Sequence, residues 1–302
     1  MCFLPNLVGH RVALLIDMQR YWQMTKPTIG LLVVVTVLPT LVMALGTVPA
    51  PAIALAAVIG TFLASASAAV FNHVVDCDID SVMTRTRSRP LPAGRVPKSS
   101  AIIFGTVLGL VSFGLLYWLT NPLAAWIAVG ANAFYVVGYT MFLKRRTVQN
   151  IVIGGAAGAV GPLIGWAAAT GTIGWPAWAL FLVIFLWTPP HFWSLAIKYK
   201  DDYTRAGIPM LPSVQGEAVT RRMILAYTLT LVPAILSLTI FGAAGWVFAG
   251  AAGAATAYFL YLAWRLYRSN DSKLAMPVFH YSCLYLFAVF GALALDRLLP
   301  LM

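Results

Sequence analysis

Nine apolar stretches divide this 302-residue chain, at approximately 28–47, 52–73, 100–119, 123–142, 151–170, 177–196, 223–242, 246–266 and 278–296. Each is about twenty residues long, enough to cross a bilayer core as a helix. The runs lack the two-residue alternation of a membrane strand, and an open sheet edge is not tolerated in lipid. With 61% hydrophobic and only 10% charged residues, the composition also excludes a soluble domain of this size. The expected fold is an all-α integral membrane protein of about nine transmembrane helices.

A net charge of +11 raises the question of nucleic acid, and the distribution of that charge answers it. Every Lys and Arg except Arg265, at the end of the eighth stretch, and Arg297 falls before the first stretch or in the loops that follow even-numbered stretches. The odd loops around Thr47–Ala52, Thr120–Leu123, Thr170–Ala177 and Gly242–Trp246 carry none. This asymmetry is the positive-inside signal, so residues 1–25 and the even loops are expected in the cytoplasm, and no nucleic-acid partner is expected. The first 25 residues include Asp17 and show no small-residue cleavage site, which argues against a secretory signal or transit peptide. A bacterial inner membrane is the expected location. Cys2, Cys77 and Cys283 form neither a CxxC pair nor an even set, against disulfide or zinc roles.

The chemistry concentrates in NHVVDCDIDSVMTRTRSRPLPAG, residues 72–94, directly after the second stretch. Asn72, Asp76 and Asp80 recur every four residues and share one helix face, while Asp78 points away. A carboxylate near the bilayer centre costs about 2.5–3.5 kcal/mol, less near the interface, so a striped pair of acids there calls for a reason. A solvated loop face would scatter its acids. Magnesium bound through one or two carboxylates plus substrate phosphates accounts for the stripe. Arg85 and Arg89, four apart, are placed to grip phosphate oxygens. The combination points to an enzyme acting on an isoprenoid diphosphate, with aromatic faces such as Tyr135, Tyr139, Trp166 and Trp193 as candidate cation stabilisers.

A second loaded loop, KYKDDYTRAGIPMLPSVQG, echoes the first: an acidic cluster at Asp201 and Asp202, then Arg205, then PMLP and a Gly. Echoed loops in corresponding halves commonly converge on one site. Lys198 and Asp202 are its candidate site residues. In the third basic loop Lys144, Arg145 and Arg146 near Asn150 read equally well as stop-transfer charges or as site residues. Gly154 and Gly158 at GxxxG spacing allow a neighbouring helix to approach. Gly161-Pro162 and Pro189-Pro190 are expected to interrupt the fifth and sixth helices.

NHVVDCDID fits the NxxxDxxxD pattern of the UbiA superfamily of intramembrane prenyltransferases. TKPT at 25–28, MTRTRSRPLPAG, LKRRTVQNIVIGGAAGA and HFWSLAIKYKDDYTRAGIPMLP together resemble its heme-farnesylating branch, from Thr25 to about Val214. The resemblance implies one UbiA-type domain over 1–302, its helices surrounding a central cavity open to the cytoplasmic face. It also implies Mg2+ as cofactor, farnesyl diphosphate as donor and heme B as acceptor, with membrane lipids as surroundings. Heme A synthase or oxidase assembly factors are the protein partners it suggests. Asn72, Asp76 and Asp80 are then the expected metal residues, with Arg85, Arg89, Lys198 and Asp202 beside them. Asp202 is followed four residues on by Ala206, so a second DxxxD metal motif is incomplete.

Heme binding needs residues of its own. A membrane-embedded histidine is a functional candidate, and imidazole is a common axial iron ligand. His73, His191 and His280 are the candidates, against the plainer reading of histidines hydrogen-bonded to backbone; Lys144, Arg145 and Asn150 are the expected contacts at the heme edge. A sister prenyltransferase with an aromatic or quinone-precursor acceptor is the alternative. A transporter would place ionisable groups inside the spans, which are almost free of them, and a CDP-alcohol phosphotransferase would need a DG and AR pair that ASASAAVFNHVVD lacks.

Overall fold

The computed structural model describes residues 17–269 and 271–299. Cys2, His10 and most of the N-terminal segment lie outside the described residues. No strand occurs among the described residues, and nine helices are long and apolar enough to span a bilayer. They are α1 (Pro27–Leu45), α2 (Pro51–Val75), α3 (Lys98–Leu119), α4 (Pro122–Leu143), α5 (Asn150–Thr170), α6 (Trp175–Lys198), α7 (Gly216–Ile240), α8 (Trp246–Ser269) and α9 (Ser272–Leu298). Most boundaries fall within two or three residues of the apolar runs. The seventh begins seven residues early, at Gly216 rather than 223, because its first turns carry Glu217, Arg221 and Arg222 and read as loop.

Four of the nine spans open on Pro in the first helical turn, where the missing N–H would be unpaired in any case. Trp118, Trp126, Ile240 and Trp246 are exposed, as lipid-facing side chains must be. The buried faces form one large cluster among α5 to α9 and two smaller ones among α1 to α5. At the end of α9, Asp296 accepts hydrogen bonds from the backbone N–H of Gly245 (2.6 Å) and Phe248 (3.1 Å), and so caps α8 from a neighbouring helix. Arg297, outside the charge rule, donates to the carbonyl of Ala243.

Two expected breaks turn out differently. In α5 the helix is interrupted between Asn150–Gly158 and Gly161–Thr170, at the expected Gly-Pro step. In α6 the helix runs unbroken through Pro189 and Pro190, although each lacks the N–H that would bond back one turn. The glycine reading also needs correction. A Cβ on Gly154 would strike the Tyr139 ring at 2.2 Å, but one on Gly158 would meet nothing within 4 Å. Gly158 instead borders a cavity, and it is Gly161 and Gly165 that seat α5 against α1, where added Cβ atoms would lie 2.0 Å from Thr36 Oγ1 and 2.6 Å from the Val37 carbonyl.

A candidate anion and metal site at the head of an apolar cavity

The acidic stripe survives a change of helix. α2 ends at Val75 and a short helix, Cys77–Val82, follows, yet the N–H of Asp76 still bonds the Asn72 carbonyl (2.9 Å) and that of Asp80 the Asp76 carbonyl (2.8 Å). Both carboxylates are buried. Asp76 Oδ2 accepts from Asn72 Nδ2 at 2.7 Å and from Lys144 Nζ; Asp80 Oδ2 accepts from Arg89 Nη1 at 2.7 Å. Asp78 lies outside this cluster, as the stripe requires. It is exposed and held by both Nη atoms of Arg145 at 2.7 and 2.8 Å, which pull its carboxyl down to about 2.

A further member was not read from the sequence. Lys26, immediately before α1, reaches across 46 positions to donate to Asn72 Oδ1 at 2.6 Å. Its backbone is left-handed (φ 48°), an uncommon conformation for a residue with a side chain. Burial, followed by the repulsion of Arg89 and Lys144, brings its ammonium down to about 7 against the pull of Asp76 and Asp80. Lys26, Arg89 and Lys144, each half-buried, thus face two buried carboxylates, a set of donors that suits an anion.

α4 is built to complete this cluster. Its second half, Phe134–Leu143, is a π-helix, a widened form that recurs at functional sites. The extra residue per turn sets Thr140 against Asn72 Nδ2 (3.2 Å) and carries Lys144 to Asp76. Tyr135 lines the cavity below the cluster, with the Tyr139 ring 5.3 Å from it. Of the other two aromatic candidates, Trp193 is buried edge-on to Tyr227 and Trp166 packs beside Gly174; neither lines this cavity. The cavity wall is apolar and small, with Ala64, Ala68, Ala131 and Gly158 among its residues from α2, α4 and α5.

The two loaded loops do meet. Asp202 accepts from the backbone N–H of Thr84 and Arg85, each at 3.3 Å, and from Arg205, which also donates to Thr84 Oγ1. These bonds hold the Asp202 carboxyl below its usual range despite its burial. Its carboxylate therefore stitches loop to loop. Arg85 stacks on Tyr199 at 5.2 Å and Lys198 lies over the same ring at 5.5 Å, both exposed. Asn150 is buried and donates to the carbonyls of Thr147 (2.6 Å) and Pro209 (3.2 Å), tying the third basic loop to the second loaded one.

The histidines separate. His73 is buried beside the cluster with neither ring nitrogen bonded among the described residues. His191 lies on α6 against α9, and His280 is exposed. The structure thus gathers Asn72, Asp76, Asp80, Arg89 and Lys144, adds Lys26 and Thr140, and leaves Arg145 and His280 outside.

The residues fit a divalent cation. Asp76 Oδ1 is buried without a partner among the described residues, an expensive state for a carboxylate oxygen unless something positive completes it. Among the described residues no group of three His, Cys, Asp or Glu side chains converges, so the protein offers two carboxylates and leaves the remaining positions to phosphate and water, as magnesium accepts. Asn72 enters differently from expectation. Its only ligating atom, Oδ1, accepts from Lys26, and its amide nitrogen steadies Asp76.

Residues 33–290 match the profile of the UbiA prenyltransferase family. The chain belongs to the UbiA prenyltransferase family. Within the UbiA family it is 47% identical over 279 residues to a protein of Gloeobacter violaceus named protoheme IX farnesyltransferase, covering 92% of each chain. A protein of the same name from Synechococcus elongatus is also 47% identical, over 92% of this chain and 88% of its own. Among solved structures, a digeranylgeranylglyceryl phosphate synthase shares the fold with a TM-score of 0.76 at 18% identity, over 93% of this chain and 98% of that one. A UbiA homologue from Archaeoglobus fulgidus, bound to DMAPP and Mg2+, gives 0.64 at 15% identity, over 90% and 99%. The nine spans and this family make the chain an integral membrane protein.

Proposed function

We propose that this chain transfers the farnesyl group of farnesyl diphosphate to a vinyl group of heme B, with addition of water, giving heme O and diphosphate. The observation that carries the reading is the 47% identity, over nine-tenths of the chain, to relatives named protoheme IX farnesyltransferase. The site agrees with it: three half-buried basic side chains beside two buried carboxylates stand at the head of an apolar cavity.

Lys26, Lys144 and Arg89 receive the diphosphate, whose charge offsets their own. Asp76 and Asp80 would hold Mg2+, which when bound supplies positive charge to the departing diphosphate. Asn72, fixed by Lys26 and Thr140, keeps Asp76 aimed. Arg85 and Lys198, exposed at the rim, complete the charge on the cytoplasmic side. The allylic C–O bond breaks with both electrons leaving on diphosphate. Tyr135 lines the apolar cavity, where an aromatic face can stabilise a carbocation. The vinyl π electrons form the new C–C bond, and water adds to the resulting porphyrin-stabilised cation and loses a proton. His191 and His73 are the residues for the heme side.

Asp202 supports the site by locking the loop that carries Arg85 and Arg89. One UbiA-type domain, a bacterial inner membrane, a cytoplasmic N-terminus and cytoplasmic cavity mouth belong to the same reading. So do heme A synthase or oxidase assembly factors as partners. The test is incubation of purified protein with heme B, farnesyl diphosphate and Mg2+: heme with one added farnesyl and one added hydroxyl is expected. Unmodified heme, with a prenylated aromatic acid when one is offered, overturns it in favour of a sister prenyltransferase.

A further inference from the structure

His191 is held on three sides. Its ring is sandwiched between Trp187 (centroids 4.4 Å apart, 21° between planes) and Phe279 (4.7 Å, 29°), so its plane is fixed. Nδ1 lies 2.6 Å from Ser282 Oγ on α9. No hydrogen bond from the described residues reaches Nε2. Trp187 Nε1 donates to the Ser282 carbonyl at 2.8 Å and so pins α6 to α9 at this level.

The bonds around Ser282 point to one tautomer. Ser282 Oγ also lies 2.6 Å from the Phe279 carbonyl, an atom that can only accept. A serine hydroxyl has one proton, and of its two bonds only the one to the carbonyl has a direction that the partner fixes, so the proton is assigned there. Ser282 Oγ is then an acceptor toward His191, so the imidazole proton sits on Nδ1. Nε2 is left with a bare lone pair, the state in which an imidazole binds iron.

We infer that Ser282 is a positioning residue that fixes His191 in the Nδ1–H tautomer, with Nε2 offered as the axial ligand that holds the heme substrate. The inference rests on the heme-acceptor reading above. It adds a residue on α9 to the two read for the heme side, His73 on α2 and His191 on α6. Partners of this kind orient a ligating histidine, and their loss typically weakens metal affinity about 10–100-fold. Trp187 and Phe279 supply the orientation of the plane; Ser282 supplies the tautomer.

The test is a titration of the purified full-length protein with ferric heme B, following the Soret band, beside binding of a non-hydrolysable farnesyl thiodiphosphate as a measure of correct folding. The wild type is expected to give the band of a histidine-ligated heme, and His191→Ala to lose it. Ser282→Ala is expected to weaken heme binding about 10-fold or more and to move the band toward that of His191→Ala. Ser282→Thr keeps the hydroxyl and is expected to restore both, and all variants should bind the thiodiphosphate as the wild type does. A Ser282→Ala protein with unchanged band and affinity, or a His191→Ala protein that keeps the wild-type band, overturns the inference. A wild type that binds the thiodiphosphate but gives no heme spectrum at all overturns the acceptor reading itself.

Discussion

At Asp76 two demands meet: the residue is fully buried, and one of its oxygens has no partner among the described residues. A carboxylate in that position is stable only where cations surround it and a ligand completes it. Asp76→Asn or Asp80→Asn should leave the protein folded and lower turnover by about 100-fold or more at saturating Mg2+, since the charge stabilising the leaving group is lost. Turnover within threefold of wild type would remove the metal role. Lys26 gives a second test, through pH. Its folded pKa, about 7, lies below the ordinary lysine value, so between about pH 7 and 10 the unfolded chain holds a proton that the folded chain does not. The stability of the ligand-free protein should therefore rise with pH across that window, the penalty being fully present below pH 7. In Lys26→Met this part of the rise should vanish, as read from melting temperature in detergent against pH. Parallel curves for the two proteins would contradict it.

Among the helices, α5 shows why spacing alone misleads. GxxxG spacing marked Gly154 and Gly158, but only Gly154 meets a neighbour. The close contact with α1 is made by Gly161 and Gly165, which the motif does not include. Gly165→Ala would push a methyl into the Val37 backbone carbonyl, which cannot yield as a flexible side chain can, and should cost about 1–3 kcal/mol. Gly158→Ala meets nothing and should melt as wild type does while narrowing the cavity. Equal melting of the two variants would contradict this packing. The π-helix of α4 had no sequence signal either, because its widening is set by Thr140 and Lys144 finding Asn72 and Asp76 on another helix.

Across the molecule, whatever depends on short-range pattern was legible in the chain: nine spans from hydropathy, the one-faced Asn72, Asp76 and Asp80 stripe from period, and the meeting of two loops from their echo. Lys26 was not, because a lysine ahead of a first apolar run looks like any cytoplasmic charge until its partner 46 positions away is known. Ser282 was hidden likewise, since a hydroxyl in an apolar helix acquires meaning only from the histidine on α6. Topology is open to a direct check in a protein freed of its native cysteines. Cysteines at Thr84 and Ser213 should label from the cytoplasmic side alone and one at Thr172 from the opposite side alone. Labelling of Thr84 and Thr172 from the same side would require a different arrangement of helices.

The most direct measurement is the mass of the heme recovered after purified protein is incubated with heme B, farnesyl diphosphate and Mg2+, run in parallel with Asp76→Asn. The wild type should yield heme carrying one farnesyl and one hydroxyl, with diphosphate released in equal amount, and Asp76→Asn should yield neither. Heme returned unmodified by the wild type, or the same product at the same rate from Asp76→Asn, would contradict a diphosphate-ionising site that prenylates heme.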